Sequence, residues 1–409
     1  MSAPRPMRTY DDGHSEGTKV PAPHASDATL KELGDLAAES GIAHLHMLAW
    51  RDLDDVEAGG SELHADRVAG IWAESGLKVT MRTAYAPGRP QRTVRSGYTV
   101  IRKAGRYGVF PRSVVSEVTG RLGPCDALVE IWNGMPFMSP VWWRGPRAVW
   151  IHHVHGPMWG MTLPPALARM GVVLEERIAP KFYRRSPIVT LSESSRRELV
   201  DEMGFGESRV SVVHPGVEPT FSPGGTRSPN PMVLAVGRLV PVKDFPRLLR
   251  VMSRVRGSVP DVELVIAGEG YERDALEQMV TDLDAGDWVS LPGHLRDDEL
   301  IDLYRRAWVL ASTSVREGWG MTLTEAAACA TPSVATRIAG HEDAAVDGTS
   351  GLLCDTDDEL VDALTRVLQD TALRDTLSSG ALARAAELTW ESTALGTFRV
   401  LAADALRRR

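Results

Sequence analysis

The sequence predicts an α/β protein of two domains, each a parallel β-sheet covered by helices on both faces. Candidate strands and helices alternate along most of the 409 residues, a chain longer than one hydrophobic core usually serves. A cluster rich in Pro, Gly and Ser over residues 219–231 interrupts the alternation, as a linker does. The alternation then restarts, so the two halves resemble two copies of one architecture.

The first domain is assigned to residues 28–222. Residues 1–27, rich in Pro, Ser, Gly and charge, are predicted to be a disordered tail. A helix, ATLKELGDLAAES, leads into the first strand near His44 to Trp50. Further strand candidates are KVTMRTAY, ALVEIWN, AVWIHHV, PIVTLS and VSVVHPG, and helix candidates include SELHADRVAGIWAES and SSRRELVDEMG.

The second domain is assigned to residues 231–390. Its strand candidates are MVLAVGRL, VELVIAGEG, WVSLPG, WVLAST, PSVAT and GLLCD, each followed by a helical pattern. In open parallel sheets, ligands bind beyond the carboxyl ends of the strands. Two such domains facing each other would therefore bind a ligand in the cleft between them.

Composition excludes several classes of protein. A net charge of −8 argues against general affinity for nucleic acid. The three cysteines lie far apart and form no C-x-x-C pair, which predicts neither a disulfide framework nor a metal knuckle and suits a reducing cytosol. The first residues carry no apolar signal region, and no stretch reaches membrane-spanning length. We expect a cytoplasmic protein, or at most one attached peripherally to the inner membrane face.

Cations follow the first strand of the second domain. The strand MVLAVG ends in Gly237 and Arg238, and Lys243 follows at the start of the next helix. A strand end followed by a helix N-terminus is suited to anions, and two cations there could clamp a diphosphate. Two solvated surface bases are the alternative, and for a single such pair the more common one.

Two glutamates flank a glycine-bearing loop after the strand WVLAST. Glu317 is expected on the loop and Glu325 near the first turn of the helix TLTEAAACA, with Gly318 and Gly320 between them. Glycines let backbone amides approach a sugar or phosphate, and carboxylates accept hydrogen bonds from hydroxyl groups. Alone, this spacing is weak evidence, because Glu is common in helices.

Together, GRLVPVKD and REGWGMTLTEAAACATPSVATRIAGHEDAAVDGTSGLL resemble the retaining GT-B glycosyltransferases called family 4, or glycosyl transferases group 1. Their pattern is Glu, seven residues, Glu, preceded by G-R-x-x-x-x-K. The usual Cys-Gly-Thr-Pro run has Ala330 in place of glycine. The resemblance implies two Rossmann-like domains across a cleft, with residues 391–409 crossing back as a helix onto the first domain. It also implies transfer of a sugar from a nucleoside-diphosphate sugar to an acceptor hydroxyl on a lipid-linked, glycan or small-molecule acceptor, with retained configuration.

The resemblance also implies roles for single residues. Arg238 and Lys243 would bind the donor diphosphate, Glu325 the ribose, and Glu317 would face the transferred sugar. Gly59 and Gly60 open a first-domain helix and resemble the family's glycine loop, which reaches the donor phosphates. The full donor-binding set is Gly59, Gly60, Gly237, Arg238, Lys243, Glu317, Gly318, Gly320, Met321, Thr322 and Glu325.

Three histidines, His152, His153 and His155, follow the strand AVWI. Their H-x-x-H pairing suggests zinc, but no carboxylate, cysteine or further histidine follows at metal-ligand spacing. By resemblance, one histidine at this strand end faces the transferred sugar and belongs with Glu317, Arg238 and Lys243 in the catalytic set. Aligning the strand ends assigns that role to His152, with His153 as the alternative.

Two surface features are candidates for contact with the acceptor. Trp142 and Trp143 next to Arg144-Gly145-Pro146 suggest a hydrophobic rim, although tryptophan clusters more often pack in a core. Residues 82–112 hold eight basic residues and no acidic one, which indicates a membrane-facing or anion-facing surface, or simply a solvated hairpin.

No cofactor and no metal are expected. There is no Asp-x-Asp metal motif typical of the other glycosyltransferase class, and we interpret Asp52-Leu53-Asp54-Asp55 as a solvated loop. The alternatives are a nucleotide-sugar 2-epimerase on the same scaffold and a non-catalytic sugar-nucleotide-binding subunit. The sequence leaves open the base (UDP, GDP, ADP or dTDP), the sugar, the acceptor and the oligomeric state.

Overall fold

The computed structural model describes residues 24–55, 58–156, 158–162 and 164–409. Most of the predicted tail, residues 1–23, lies outside this range. The first helix begins at Asp27, where the Ser26 side chain accepts a hydrogen bond from the Thr29 N–H and so caps it. Two α/β units follow, as the alternation predicts.

The first domain contains a sheet in the order β3-β4-β2-β1-β5-β6-β7-β8, parallel except for the antiparallel pair β3 and β4. Its strands are β1 (His44–Leu48), β2 (Lys78–Thr83), β3 (Arg92–Arg95), β4 (Tyr98–Arg102), β5 (Ala127–Ile131), β6 (Arg147–Trp150), β7 (Ile188–Thr190) and β8 (Val210–Val212). Its helices are α1 (Asp27–Ser40), α2 (Gly60–Glu74), α3 (Val109–Val118), α4 (Ser139–Trp142), α5 (Met158–Thr162), α6 (Pro165–Val172), α7 (Ala179–Tyr183) and α8 (Glu193–Asp201); a π-helical turn, Val173–Ile178, joins α6 to α7.

The second domain contains a parallel sheet in the order β11-β10-β9-β12-β13-β14. Its strands are β9 (Met232–Val236), β10 (Glu263–Ala267), β11 (Val289–Gly293), β12 (Val309–Ser312), β13 (Ser333–Thr336) and β14 (Gly351–Cys354). Its helices are α9 (Phe245–Arg256), α10 (Arg273–Asp282), α11 (Asp297–Arg306), α12 (Met321–Ala328), α13 (His341–Ala344), α14 (Asp357–Gln369) and α15 (Thr371–Ala386). The final helix is α16 (Trp390–Arg408).

Helix α16 crosses back to the first domain, as the resemblance implies. Trp390 and Phe398 are buried in the first-domain core together with Trp72. The Trp72 Nε1–H donates to the Ala394 carbonyl at 3.0 Å, and Asp404 accepts from the Arg147 N–H at 3.0 Å. The apolar face of α16 therefore ties the chain end to the amino-terminal sheet.

The domains also meet where α13 faces α8. Asp343 accepts hydrogen bonds from the Glu193 and Ser194 N–H groups, at 2.8 and 3.2 Å, and from the Ser194 hydroxyl at 2.5 Å. Unpaired N–H groups at a helix start favour a carboxylate acceptor. The second domain thus supplies acceptors to a first-domain helix.

One interpretation of charge is wrong, and another holds only in part. The basic stretch 82–112 forms the expected β3–β4 hairpin, but Arg82 and Arg102 are buried. Arg102 bonds Asp52 and Asp54 at 2.5 and 2.6 Å. The acidic run is therefore not a solvated loop, because its carboxylates neutralise a cation that the hairpin buries.

Trp142 and Trp143 do not form a rim at the cleft. Both pack against a core cluster that includes Phe110 and Phe137, and their indole N–H groups donate to the Phe137 and Pro146 carbonyls, each at 2.9 Å. Trp143 lies just before β6 begins, at the edge of the sheet opposite the carboxyl ends.

Candidate active site

The predicted diphosphate site lies at the carboxyl ends of β9 and β12. Lys243 ends a short 3₁₀ turn after β9, and its Nζ lies 2.5 Å from Oε1 of Glu317 on the loop after β12. Each side chain is about four-fifths buried, with 20% and 19% of its surface exposed. The structure therefore brings together two residues that are distant in sequence.

Close backbone packing fixes this turn. A Cβ atom on Gly268 would lie 1.9 Å from the Gly237 carbonyl oxygen, so neither loop could sit here with a side chain at Gly268. The Thr313 hydroxyl donates to the carbonyls of Lys243 and Asp244 at 3.2 and 2.9 Å. The loop after β12 thus holds the Lys243 turn in place.

Glu317 sits in a cationic environment. Burial acts to raise its pKa, but Lys243 and His341, together with a 2.9 Å hydrogen bond from the Ser314 hydroxyl, outweigh burial and hold the pKa below its usual value. Glu317 is therefore a carboxylate at neutral pH and accepts hydrogen bonds.

Glu325 is the fifth residue of α12, directly after the first turn and close to the predicted position. Its Oε2 accepts a hydrogen bond from the Tyr304 hydroxyl at 2.7 Å. Burial raises its pKa to about 7, although the Tyr304 hydrogen bond opposes that rise. The two glutamates consequently differ in charge near neutral pH.

The glycine loop of the first domain reaches the second domain. A Cβ atom on Gly60 would lie 2.5 Å from the sulfur of Met321, the first residue of α12. Gly59 precedes α2, and Gly320 precedes α12 with a φ of 103° that favours glycine. The N-termini of α2 and α12 therefore meet at the cleft, and both direct positive dipole ends to it.

The three histidines occupy different positions. His152 is buried, with Nδ1 2.8 Å from the Ser61 hydroxyl and Nε2 3.1 Å from Nδ1 of His64. The Nε2 of His153 is buried and has no hydrogen-bond partner among the described residues. Burial lowers the pKa of His153 to about 4; the Glu317 carboxylate opposes this shift, and the charges of Arg316 and Arg238 add to it. The geometry thus favours the alternative, His153, as the histidine next to Glu317.

Arg238 is exposed. Its charge acts to lower the pKa of His153 from the first domain and of Tyr271 from the second, so it lies near both. Of the predicted donor set, Gly318 also touches the first domain, since a Cβ there would lie 2.3 Å from the His152 carbonyl oxygen. Thr322 lies in the first turn of α12.

Sequence reasoning missed Arg316, which joins the domains beside the site. Its Nε donates to the Val154 carbonyl at 2.7 Å, and its guanidinium pairs with Glu198. His341 was also missed: it is fully buried against Gly320, and its Nδ1 lies 2.9 Å from the Thr336 carbonyl oxygen. Both stand inside the quoted motif, but the partners of Arg316 are more than 100 positions away in the first domain and could not be inferred from it.

The comparisons with known families fit this geometry. Residues 218–384 match the family model described as glycosyl transferases group 1, and residues 58–221 match the model for glycosyltransferase family 4. The chain is a group 1 glycosyltransferase. The match to the first model contains Arg238, Lys243, Glu317 and Glu325.

Relatives that match over most of their length are named as glycosyltransferases. This glycosyltransferase is 29% identical over 397 residues to a D-inositol 3-phosphate glycosyltransferase of Acidothermus cellulolyticus, covering 86% of this chain and 87% of that protein. It is 28% identical over 425 residues to one of Thermobifida fusca, covering 93% and 95%. These matches do not favour the 2-epimerase or the non-catalytic subunit.

Solved structures confirm the GT-B fold of this glycosyltransferase. Sucrose-phosphate synthase from Thermosynechococcus elongatus superposes with a TM-score of 0.74 at 19% identity, covering 86% of this chain and 96% of that one. HepE of Anabaena in complex with UDP-glucose superposes with a TM-score of 0.66 at 17% identity, covering 87% and 98%.

Two further features bear on earlier expectations. Among the described residues, the His46, Glu117 and Cys125 ligand atoms lie within 4.8 Å of one another, toward the amino ends of β1 and β5 and away from the cleft. No helix in the described part of this glycosyltransferase is both long and apolar enough to span a bilayer.

Proposed function

We propose that the protein transfers a sugar from a nucleoside-diphosphate sugar to an acceptor hydroxyl with retention of anomeric configuration. The observation that carries this proposal is the Lys243–Glu317 pair at the carboxyl ends of β9 and β12, 2.5 Å apart and beside the N-terminus of α12. It combines a cation for phosphate with a carboxylate for sugar hydroxyls. We also propose a cytoplasmic location, in keeping with three unpaired cysteines.

In the proposed complex, the leaving diphosphate is neutralised by protein groups. The Lys243 ammonium has three N–H donors, of which Glu317 takes one. Exposed Arg238 and the N-terminal dipoles of α2 and α12 add positive charge. Preorganised donors of this kind stabilise charge that develops as a leaving group departs, so we propose that no metal ion is required.

The two glutamates are proposed to bind different parts of the donor. Glu325, on α12, is proposed to accept hydrogen bonds from the ribose hydroxyls with the oxygen that Tyr304 leaves free. Glu317 is proposed to bind hydroxyls of the transferred sugar. His153, whose Nε2 has no partner among the described residues, is proposed to face the same sugar.

We propose attack from the same face as the leaving group. Lys243 and Ser314 both donate to Oε1 of Glu317, and we propose that this carboxylate binds sugar hydroxyls rather than attacking the anomeric carbon. The acceptor oxygen forms a bond to the anomeric carbon as the bond to the phosphate oxygen breaks. The acceptor proton passes to that phosphate oxygen.

The test has two stages. A panel of UDP, GDP, ADP and dTDP sugars is screened for ligand-induced thermal stabilisation, since a donor that binds only the native state raises its apparent stability. The stabilising donor is then incubated with candidate acceptors, and the anomeric configuration of the product is determined by NMR. An inverted product would contradict retention, and the absence of stabilisation by every donor would contradict the donor class.

A further inference from the structure

We propose that the helical segment 164–185 is a docking surface for an anionic lipid bilayer. The segment runs through α6, the π-helical turn and α7. Its exposed side, called here the 164–185 face, carries apolar and basic side chains and lies beside the cleft. This proposal does not depend on the proposed reaction.

Five large apolar side chains point to solvent on this face. Their exposed fractions run from 41% to 63%, and they are Leu167, Met170, Val173, Ile178 and Phe182. The intervals between them are three, three, five and four residues. Steps of three or four keep side chains on one side of an α-helix, and the five-residue step spans the π-helical turn, in which hydrogen bonds reach five residues. The apolar row is therefore continuous along the segment.

Basic side chains accompany this row. The exposed cations are Arg169, Arg177, Lys181, Arg184 and Arg185. None of them forms an ion pair or hydrogen bond among the described residues. The two acids of the segment point elsewhere: Glu175 is buried, and Glu176 lies against Gly156. The fully exposed charged residues of the face are thus all basic, with Glu176 half-buried, on a protein with a net charge of −8.

The inner side of the segment is firmly packed. The Tyr183 hydroxyl donates to Glu130 at 2.6 Å, and Gly171 packs against Trp159. Glu175 accepts hydrogen bonds from the His155 N–H at 3.0 Å and from the Trp159 indole at 2.7 Å. The exposure of the apolar row is therefore not a result of loose packing of the segment.

The face adjoins the cleft. Helix α5, which precedes α6, contacts the 3₁₀ turn Pro241–Lys243 of the second domain. Through Glu175, the same segment holds the backbone after His153. If the proposed function is correct, a docked molecule would present its cleft to an acceptor carried by the bilayer.

A bilayer fits this combination better than other partners do. Amphipathic helices with apolar residues between cations lie in the headgroup region, where anionic lipids attract Lys and Arg. Nucleic acid would leave the apolar row in water. A second copy docked by two-fold symmetry would bring like charges together. The earlier candidate for a membrane-facing surface, residues 82–112, fits less well because Arg82 and Arg102 are buried.

The test is co-sedimentation of the full chain with vesicles, without donor. Vesicles of phosphatidylcholine with phosphatidylglycerol are compared with phosphatidylcholine alone. The variants are Ile178→Ser/Phe182→Ser for the apolar row and Arg177→Glu/Lys181→Glu for the charges. Matched controls are Val94→Ser/Val118→Ser and Arg89→Glu/Arg92→Glu, which change exposed apolar and basic side chains elsewhere.

We expect wild-type protein to bind the anionic vesicles more tightly than the neutral ones. Each face variant should bind the anionic vesicles about tenfold more weakly or worse, while both controls bind as wild type does. Circular dichroism and donor-induced stabilisation should be unchanged in all four, so that a lost fold or a failed donor assignment is seen separately. The proposal is overturned if wild type does not sediment with anionic vesicles, or if face variants and controls behave alike. It is equally overturned if wild type is a dimer that Ile178→Ser/Phe182→Ser converts to monomers, because a second copy would then cover the face.

Discussion

Lys243 and Arg238 carry the cationic charge proposed for the donor diphosphate. Replacing either with Ala should lower kcat/KM by about 2–4 kcal/mol of transition-state stabilisation, roughly 30- to 1000-fold, because each supplies a preorganised positive charge. Steady-state kinetics with the stabilising donor measures this. Arg250→Ala, an exposed base on α9, is the matched control. Full activity in the Lys243 or Arg238 variant would remove that residue from the site.

Substitutions of Glu317 and Glu325 should have different effects on nucleotide binding and on turnover. Glu325→Ala should weaken binding of the free nucleoside diphosphate, because the ribose loses its acceptor. Glu317→Ala should spare that affinity and lower turnover, since it frees Lys243 for phosphate while removing a sugar contact. Calorimetric titration of both variants decides the point. An equal loss of nucleotide affinity in the two would be incompatible with this division.

The raised pKa of Glu325 predicts a pH dependence of donor binding. With a pKa of about 7, Glu325 is mostly a carboxylate above pH 7 and mostly a neutral acid below it. Lowering the pH from 8 to 6 should therefore weaken nucleotide affinity by up to about tenfold, as the fraction of ionised Glu325 falls. Affinity measured across this range in wild type and Glu325→Gln isolates the effect, because titration of the nucleotide itself appears in both. Superimposable curves would rule it out.

At the scale of elements, ion pairs join the β3–β4 hairpin to the loop after β1, so the stability of each depends on the other. Arg102 is fully buried between Asp52 and Asp54, so Arg102→Ala leaves buried Asp52 with only a longer contact, 3.5 Å, to Arg95. We expect a loss of about 3–5 kcal/mol in the free energy of unfolding, measured by urea denaturation. Arg92→Ala, an exposed arginine on the same hairpin, should change stability little. A loss below about 1 kcal/mol for Arg102→Ala would mean that this ion-pair cluster contributes little to stability.

Sequence alone predicted most of the strands and helices, but it did not predict specific long-range contacts. Runs of buried residues such as β5 and β6, separated by helical patterns, indicated the parallel sheets. The pairing of Arg102 with Asp52 could not be predicted, because the partners are 50 positions apart and opposite charges are also common on surfaces. The choice between His152 and His153 depends on a single residue of register, because a shift of one residue in an extended chain turns a side chain to the other face. The structure leaves the buried Nε2 of His153 without a hydrogen-bond partner among the described residues, whereas both ring nitrogens of His152 have one.

At the scale of the whole molecule, donor chemistry should proceed without a divalent ion. The proposed partners of the phosphate charge are Lys243, Arg238 and the helix N-termini, so EDTA treatment should leave turnover within about twofold of the untreated enzyme. Activity is measured before and after chelation and again after magnesium or manganese is added. Loss on chelation with recovery on adding metal would refute the expectation. A stability change without an activity change would instead direct attention to His46, Glu117 and Cys125.

The contact between Asp343 and α8 has a thermodynamic consequence for the cleft. A helix start usually takes its acceptors from neighbouring residues, but here two N–H groups of one domain rely on a carboxylate of the other. Losing such a cap costs about 0.5–2 kcal/mol. Any separation of the domains therefore carries a penalty of that size, which shifts the equilibrium toward the joined arrangement by a factor of about 2 to 30. A single aspartate thus sets part of the equilibrium that governs how often the cleft is open to exchange ligands.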